Sequence, residues 1–319
     1  MKALVTGGAG LVGSSMCEKL LKNGAEVFCV DNLSLGTEKH IAPFGSNKNF
    51  TFEKWDVSQP LWHKPIAGQK FDVLIHLAAN SDISASNADP RIDYSKTFQT
   101  TFEALIASKE LKIPNFIFSS TSAVYGANPP FPTPENTSNM HPVSIYGAGK
   151  LASEAFISSF VENYGLNAWV FRFGNVVGER LTHGVIYDFT SRLRKDPSTL
   201  KVLGNGTQHK TYIDVEDTVD GILHAYQKSH AGKTHADKFQ IFNLSTDGAV
   251  TVKEIAEETV KVVAASKAKI VYGESSIGWV GDVPKTSLDI KRMQKLGWKP
   301  KLSSHEAVFQ SISKYYRWS

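Results

Sequence analysis

The chain has 319 residues, 41% of them hydrophobic and 21% charged. That excludes wholesale disorder and fits one large domain or two packed ones. Lys+Arg is 35 against 31 Asp+Glu, a formal net charge of +4. With no basic run and no basic-aromatic stripe, a nucleic-acid partner is excluded as a reading.

The two cysteines, Cys17 and Cys29, rule out a disulfide framework and a Cys-rich metal site. Both sit in apolar settings and are expected as small buried hydrophobes, and no metal is expected. No apolar run nears the roughly 20 residues of a membrane span. The N-terminal segment, one lysine and then a strand-like run ending in glycines, is unlike a signal peptide. A cytoplasmic location without a membrane partner is the expectation.

In chain order, Lys2–Val5 is a short apolar strand, and Leu11–Asn23 has helical spacing stopped by Gly24. Glu26–Val30, Phe50–Lys54, Val73–Leu77 and Asn115–Ser119 read as further strands. Tyr94–Leu111 and Ile145–Tyr164 read as helices, and Ala168–Arg172 as a sixth strand. Strands alternating with helices predict an α/β fold, a Rossmann-type doubly wound parallel sheet covered on both faces. The second half is less regular. Helices are expected at Val185–Arg194, Asp217–Gln227, Val252–Val263 and Ser304–Tyr316, with strands at Leu200–Leu203 and Phe239–Leu244. The Pro-rich stretch Asn128–Pro134 reads as a surface loop or lid. Residues 1–172 would form the cofactor domain, with return segments near 211–228 and 239–246. Residues 173–319 would form most of a smaller α/β substrate domain.

Thr6-Gly7-Gly8-Ala9-Gly10-Leu11-Val12-Gly13 follows the first strand and opens the first helix, the context of a dinucleotide-binding loop. Gly7 allows the tight turn, Gly10 lets backbone approach a pyrophosphate, and Gly13 permits close helix–strand packing. The helix N-terminus offers unpaired N–H groups to phosphate. Asp31 ends the second strand, where a carboxylate accepts hydrogen bonds from an adenosine ribose and repels a 2′-phosphate. NAD is therefore expected over NADP.

The glycine spacing is G-x-x-G-x-x-G, and here the chain resembles the extended short-chain dehydrogenase/reductase family. The resemblance implies cofactor contacts from Gly7, Gly10, Leu11, Val12, Gly13, Asp31, Asn32, Ser34, Asp56, Val57, Leu77, Ala78, Ala79 and Thr97. His76, just before that last run, reads as a structural histidine. Tyr146-Gly147-Ala148-Gly149-Lys150 matches Y-x-x-x-K, which puts both side chains on one helix face. A free phenol has a pKa of about 10 and is a poor base at neutral pH. A neighbouring ammonium and a cationic nicotinamide favour the phenolate, so Tyr146 could move a proton on a substrate hydroxyl. Tyr146 and Lys150 would also touch the cofactor. The family's third catalytic hydroxyl falls at Thr121, three residues before Val124 of V-Y-G, with Ser122 the neighbouring alternative.

The same segment excludes reactions. Dehydratases of this family follow the hydroxyl with Asp-Glu, and uronate decarboxylases place Glu directly before V-Y-G. Here those positions hold Ser122 and Ala123. The best remaining match is a nucleotide-sugar 4-epimerase, with a UDP-sugar such as UDP-glucose or UDP-galactose as substrate. A uronate 4-epimerase, a 4-keto reductase and a non-catalytic NAD-sensing regulator are the alternatives.

Arg172-Phe173-Gly174-Asn175-Val176-Val177-Gly178 resembles the family's R-x-x-N-x-x-G, with Asn175 implied at the diphosphate or sugar. Val185 and Lys210 are implied on the substrate side, together with Thr121, Ser122 and Tyr146. Lys210 stands where the family usually has Arg, so it offers a point charge without the bidentate fork. Asp282 is implied at the nucleotide ribose, while Trp279 stands where the family has its phosphate-binding Arg. Lys285 or Arg180 would compensate, and Arg180 could instead bind a uronate carboxylate. Thr97 replaces the family's supporting Asn. Thr286 is small where some 4-epimerases are bulky, so a 2-acetamido sugar is also an expected substrate. A homodimer through the Tyr94–Leu111 and Tyr146 helices is what the resemblance implies.

Overall fold

The structure, a computed structural model, describes residues 1–82, 88–229, 234–264, 267–278, 283 and 285–319. Seven parallel strands form the central sheet: β1 (Lys2–Thr6), β2 (Glu26–Val30), β3 (Phe50–Glu53), β4 (Val73–His76), β5 (Asn115–Thr121), β6 (Asn167–Phe173) and β7 (Phe239–Leu244). Their spatial order is β3-β2-β1-β4-β5-β6-β7. The order reverses between β1 and β4, and a crevice opens at the carboxyl ends of strands at such a switch point.

The strands are apolar on both faces because both faces are covered. On one side α1 (Leu11–Lys22) and α5 (Val215–Lys228) bury Met16, Leu20, Val219 and Ile222 against Val5, Val27 and Phe171. On the other, α2 (Thr100–Glu110) and α3 (Ile145–Tyr164) bury Leu105, Ile157 and Phe160 against Leu74, Phe116 and Phe118. Each such side chain contributes roughly 1.5–3 kcal/mol of burial. A third core joins α4 (Val185–Lys195), α6 (Val252–Val263) and α7 (Ser304–Trp318) through Ile186, Phe189, Ile255, Val260, Val308 and Ile312. Capping boxes start two of these helices, Thr251 with Glu254 and Ser303 with Glu306.

Three features depart from the local patterns. The helix expected at Tyr94–Leu111 is interrupted: Tyr94–Gln99 forms a π-helical turn between Arg91–Asp93 and α2. Three strand pairings had no expectation complete in both partners. Asn175–Val177 runs parallel to Tyr212–Asp214, and Lys269–Tyr272 parallel to Thr199–Val202. His209–Lys210 pairs with Val250–Thr251. The Pro-rich loop is surface only in part. Phe131 is 66% exposed but Thr133 only 2%, since its N–H donates to Ser287 O and its carbonyl accepts from Asp289 N–H, both at 2.9 Å. Among the described residues no helix is long and apolar enough to cross a membrane.

Candidate active site

A cleft of about 1140 Å³ opens where the strand order reverses and runs on between the sheet and the C-terminal core. Its first wall holds Gly7, Gly10, Leu11, Val12 and Gly13 with Asp31, Asn32, Ser34, Asp56 and Val57, and Leu77, Ala78 and Ala79. Gly7 has φ +75°, and a Cβ there would lie 2.5 Å from Ala78 N. A Cβ on Gly13 would collide with Gly7 O. Gly10 differs: its Cβ would meet only Gly7 O, at 3.4 Å. Protein packing therefore does not require glycine at position 10, and the bare backbone there leaves room for a ligand to pass over it. Gly10 caps α1 without a side-chain hydrogen bond, and the first turn carries no acidic residue. Its orphan N–H groups are left for an anion.

Asp31 shapes this loop. Its Oδ2 accepts from Ala9 N–H at 3.0 Å and its Oδ1 from Leu33 N–H at 2.7 Å. Burial pushes its carboxyl up, partly offset by those bonds. Asp56 is pushed up by burial too, but hydrogen bonds from Ser58 and Asn32 hold it below the ordinary range. His40 closes the loop from behind: its Nδ1 lies 2.7 Å from Ala9 O, so the ring donates there. The glycine cradle, the bare helix N-terminus and the carboxylate at the end of β2 together fit a dinucleotide.

The second wall carries Thr121, Ser122, Tyr146 and Lys150. Thr121 ends β5, and its Oγ1 accepts the Ala123 N–H at 3.2 Å. Ser144 caps α3, accepting from Gly147 N–H at 3.1 Å. Gly147 lets this helix press onto the turn after Thr121, since a Cβ there would lie 2.8 Å from Ala123 O. The Tyr146 hydroxyl meets no protein hydrogen-bond partner among the described residues. Lys150 is 1% exposed, and its Nζ donates to Ser119 O at 2.6 Å and lies 5.8 Å from the Tyr146 ring centroid. Burial, then Asp93, pushes the phenol above its usual value. Burial pushes Lys150 down to about 7 against the opposing charges of Asp93 and Glu154. His76 is fully buried and lies 2.7 Å from Thr6 Oγ1 and 3.2 Å from Thr101 Oγ1, and burial holds it well below its usual value. It is a structural, neutral histidine.

Behind this wall lies a buried ion-pair network the motifs did not announce. Arg172 meets Glu154 through two bonds, of 3.0 and 2.6 Å, and donates to Tyr125 Oη and Glu135 O. Glu154 also accepts from Ser120 Oγ at 2.5 Å, beside Thr121. Tyr125 donates to Asn243 of β7 at 2.7 Å.

The far end of the cleft holds Asn175, Val185, Lys210, Lys285, Thr286 and Arg192. Asn175 Nδ2 donates to Thr211 O at 3.0 Å. Val185 opens α4, whose N-cap Gly184 makes no side-chain bond. Thr286 Oγ1 is buried without a partner. Two expected residues lie elsewhere. Thr97 is fully buried behind the wall, its hydroxyl donating to Asp93 Oδ1 at 2.7 Å. Arg180 does not line the cleft; its guanidinium pairs with Glu18 at 2.5 Å, so neither diphosphate nor uronate binding falls to it. Asp282 and Trp279 lie outside the described residues. Among the described residues no cluster of His, Cys, Asp or Glu could hold a metal ion.

Residues 3–244 match the model of the NAD dependent epimerase/dehydratase family. The chain belongs to that family. A crystal structure of a UDP-galactose 4-epimerase superposes with TM-score 0.87 at 34% identity, covering 99% of both chains. The UDP-glucose 4-epimerase of Thermotoga maritima, solved with UDP-glucose, gives TM-score 0.85 at 32% identity over 99% of both. UDP-glucuronic acid decarboxylase 1 of Arabidopsis thaliana is 30% identical over 99% of this chain and 70% of its own length. This epimerase/dehydratase family member is thus an NAD-dependent enzyme. Relatives of similar identity run different reactions, so overall likeness does not choose among them and the site must.

Proposed function

We propose that this enzyme epimerises UDP-hexoses at C4, interconverting UDP-glucose and UDP-galactose. The observation that carries the reading is the second wall: the Tyr146 phenol, the Lys150 ammonium and the Thr121 hydroxyl face one cleft, and no carboxylate follows Thr121. Tyr146 can take a proton from a sugar hydroxyl. Ser122 and Ala123 offer no acid for water elimination. NAD, when bound, supplies a hydride acceptor and a cationic ring that favours the phenolate. Gly7, Gly10 and Gly13 would receive its pyrophosphate and Asp31 its ribose. Lys150 lowers the cost of ionising Tyr146, and Thr121 donates a hydrogen bond to oxygen as it gains negative charge. Lys210 and Lys285, with the α4 N-terminus, would hold the substrate diphosphate while the sugar turns. Asn175 and Val185 would line its path.

Thr286 favours a second substrate. Its small side chain on the cleft leaves room for a 2-acetamido group. Arg180, the cation that could have met a uronate carboxylate, is held by Glu18 and does not line the cleft, which disfavours a uronate. We further propose pairing with a second copy through the Tyr94–Leu111 segment and the Tyr146 helix, whose aromatics Tyr94 and Phe156 are 63% and 41% exposed.

An activity panel across UDP-glucose, UDP-N-acetylglucosamine and UDP-glucuronate tests the substrate reading. The first two should turn over and the third should not. Turnover of UDP-glucuronate alone would overturn the assignment, and consumption of added NADH with a keto-sugar would replace epimerase with reductase.

A further inference from the structure

Asp93 has no place in the motifs, yet it is fully buried on the segment that packs against α3. Its Oδ1 accepts from Thr97 Oγ1 at 2.7 Å and from Asn80 Nδ2 at 3.2 Å. Gly149, between Tyr146 and Lys150 in sequence, sits directly on this segment. A Cβ there would lie 3.3 Å from Thr97 Cγ2 and 3.7 Å from Asp93 O. Glycine thus lets the carboxylate-bearing turn approach the catalytic helix. Lys150 is 1% exposed and its described hydrogen bond goes to a neutral carbonyl, so a buried ammonium there requires a counter-charge.

We propose that Asp93 is that counter-charge: a positioning residue, hydrogen-bonded by Thr97 and Asn80, that keeps the Lys150 proton on Nζ next to the Tyr146 phenol.

The other charged groups around the pair do not fill this role. Glu154 on α3 also opposes the loss of the Lys150 proton, but less than Asp93 does, and it is committed to Arg172 through two hydrogen bonds. His76 on β4 is neutral, and exposed Lys96 acts on Asp56. Tyr94, on the helix of Asp93, is exposed. Asp93 also acts on both partners in the same direction, raising Tyr146 and Lys150 alike. Removing the charge should therefore move both proton-release steps to lower pH.

The role in turnover rests on the epimerase reading; the titration below does not. In the NAD-loaded enzyme, the phenolate of Tyr146 is followed by ultraviolet difference titration, with Tyr146→Phe as the blank. Asp93→Asn keeps the hydrogen-bond acceptor but not the charge. It should move the phenolate midpoint, and both limbs of the kcat–pH profile, to lower pH by on the order of one unit. Asp93→Glu should return them most of the way. An unmoved midpoint with reduced kcat makes Asp93 a packing residue and overturns the proposal. A shifted midpoint in an enzyme inactive on every UDP-sugar leaves the proposal standing and sinks the epimerase reading. If Asp93→Asn does not fold, the Lys150 Nζ resonance of the wild-type holoenzyme decides. Followed against pH, a midpoint at or above about 7 supports the proposal, and an amine already neutral well below pH 7 refutes it.

Discussion

Substituting Gly10 separates cofactor binding from folding. Gly10 has φ −78° and ψ −179°, extended backbone that alanine adopts without strain. The added methyl meets only Gly7 O, at 3.4 Å. Gly10→Ala should therefore fold, with a stability change within about 1 kcal/mol. The methyl instead stands over the α1 N-terminus, where the pyrophosphate would lie. Losing one or two charge-assisted hydrogen bonds at about 1.5–3 kcal/mol each weakens NAD binding by roughly 10-fold to more than 100-fold. Calorimetric titration with NAD and thermal melts of the free protein measure the two effects apart. Gly13→Ala should behave differently, because its methyl collides with Gly7 O and disturbs the loop itself. Wild-type NAD affinity in a folded Gly10→Ala variant would refute the placement of the pyrophosphate.

The remaining expectations concern the walls around the site. Arg172→Met leaves Glu154 buried without its partner and should cost about 3–5 kcal/mol in chemical denaturation. Lys210→Met should raise KM for the UDP-sugar about tenfold, while Arg180→Met, whose partner is Glu18, should leave KM unchanged in steady-state assays. His40 is 1% exposed, and burial lowers it from 6.5 to about 4. Its folded pKa is depressed, so its neutral form's stabilisation is full above pH 6.5 and is lost as pH falls toward about 4, by about 3 kcal/mol. His40→Asn should flatten that fall when melting is followed against pH.

What the sequence discloses is local. Gly7, Gly10, Gly13 and Asp31 lie within one βαβ unit, so spacing alone places them together. Tyr146 and Lys150 share a helix face for the same reason. Strand and helix positions follow from apolar runs and their punctuation, as with Gly24 after α1. The parts not legible depend on long-range pairing. Arg172 looks like a motif residue, but its guanidinium turns inward to Glu154, 18 positions away. Arg180 looks like a free cation until α1 brings Glu18 against it. Asp93 carries no pattern of its own, and its relevance arises only where Gly149 admits it to the catalytic helix. The π-helical turn after Asp93 has no signal in apolar periodicity, which continues through it.

The most direct measurement is proton NMR of UDP-galactose incubated with the purified enzyme and no added nucleotide cofactor. The account predicts conversion to an equilibrium mixture with UDP-glucose, with no net NADH formed, and no conversion by Tyr146→Phe. A galactosyl resonance that stays unchanged with the NAD-loaded wild type, or full activity in Tyr146→Phe, would contradict it.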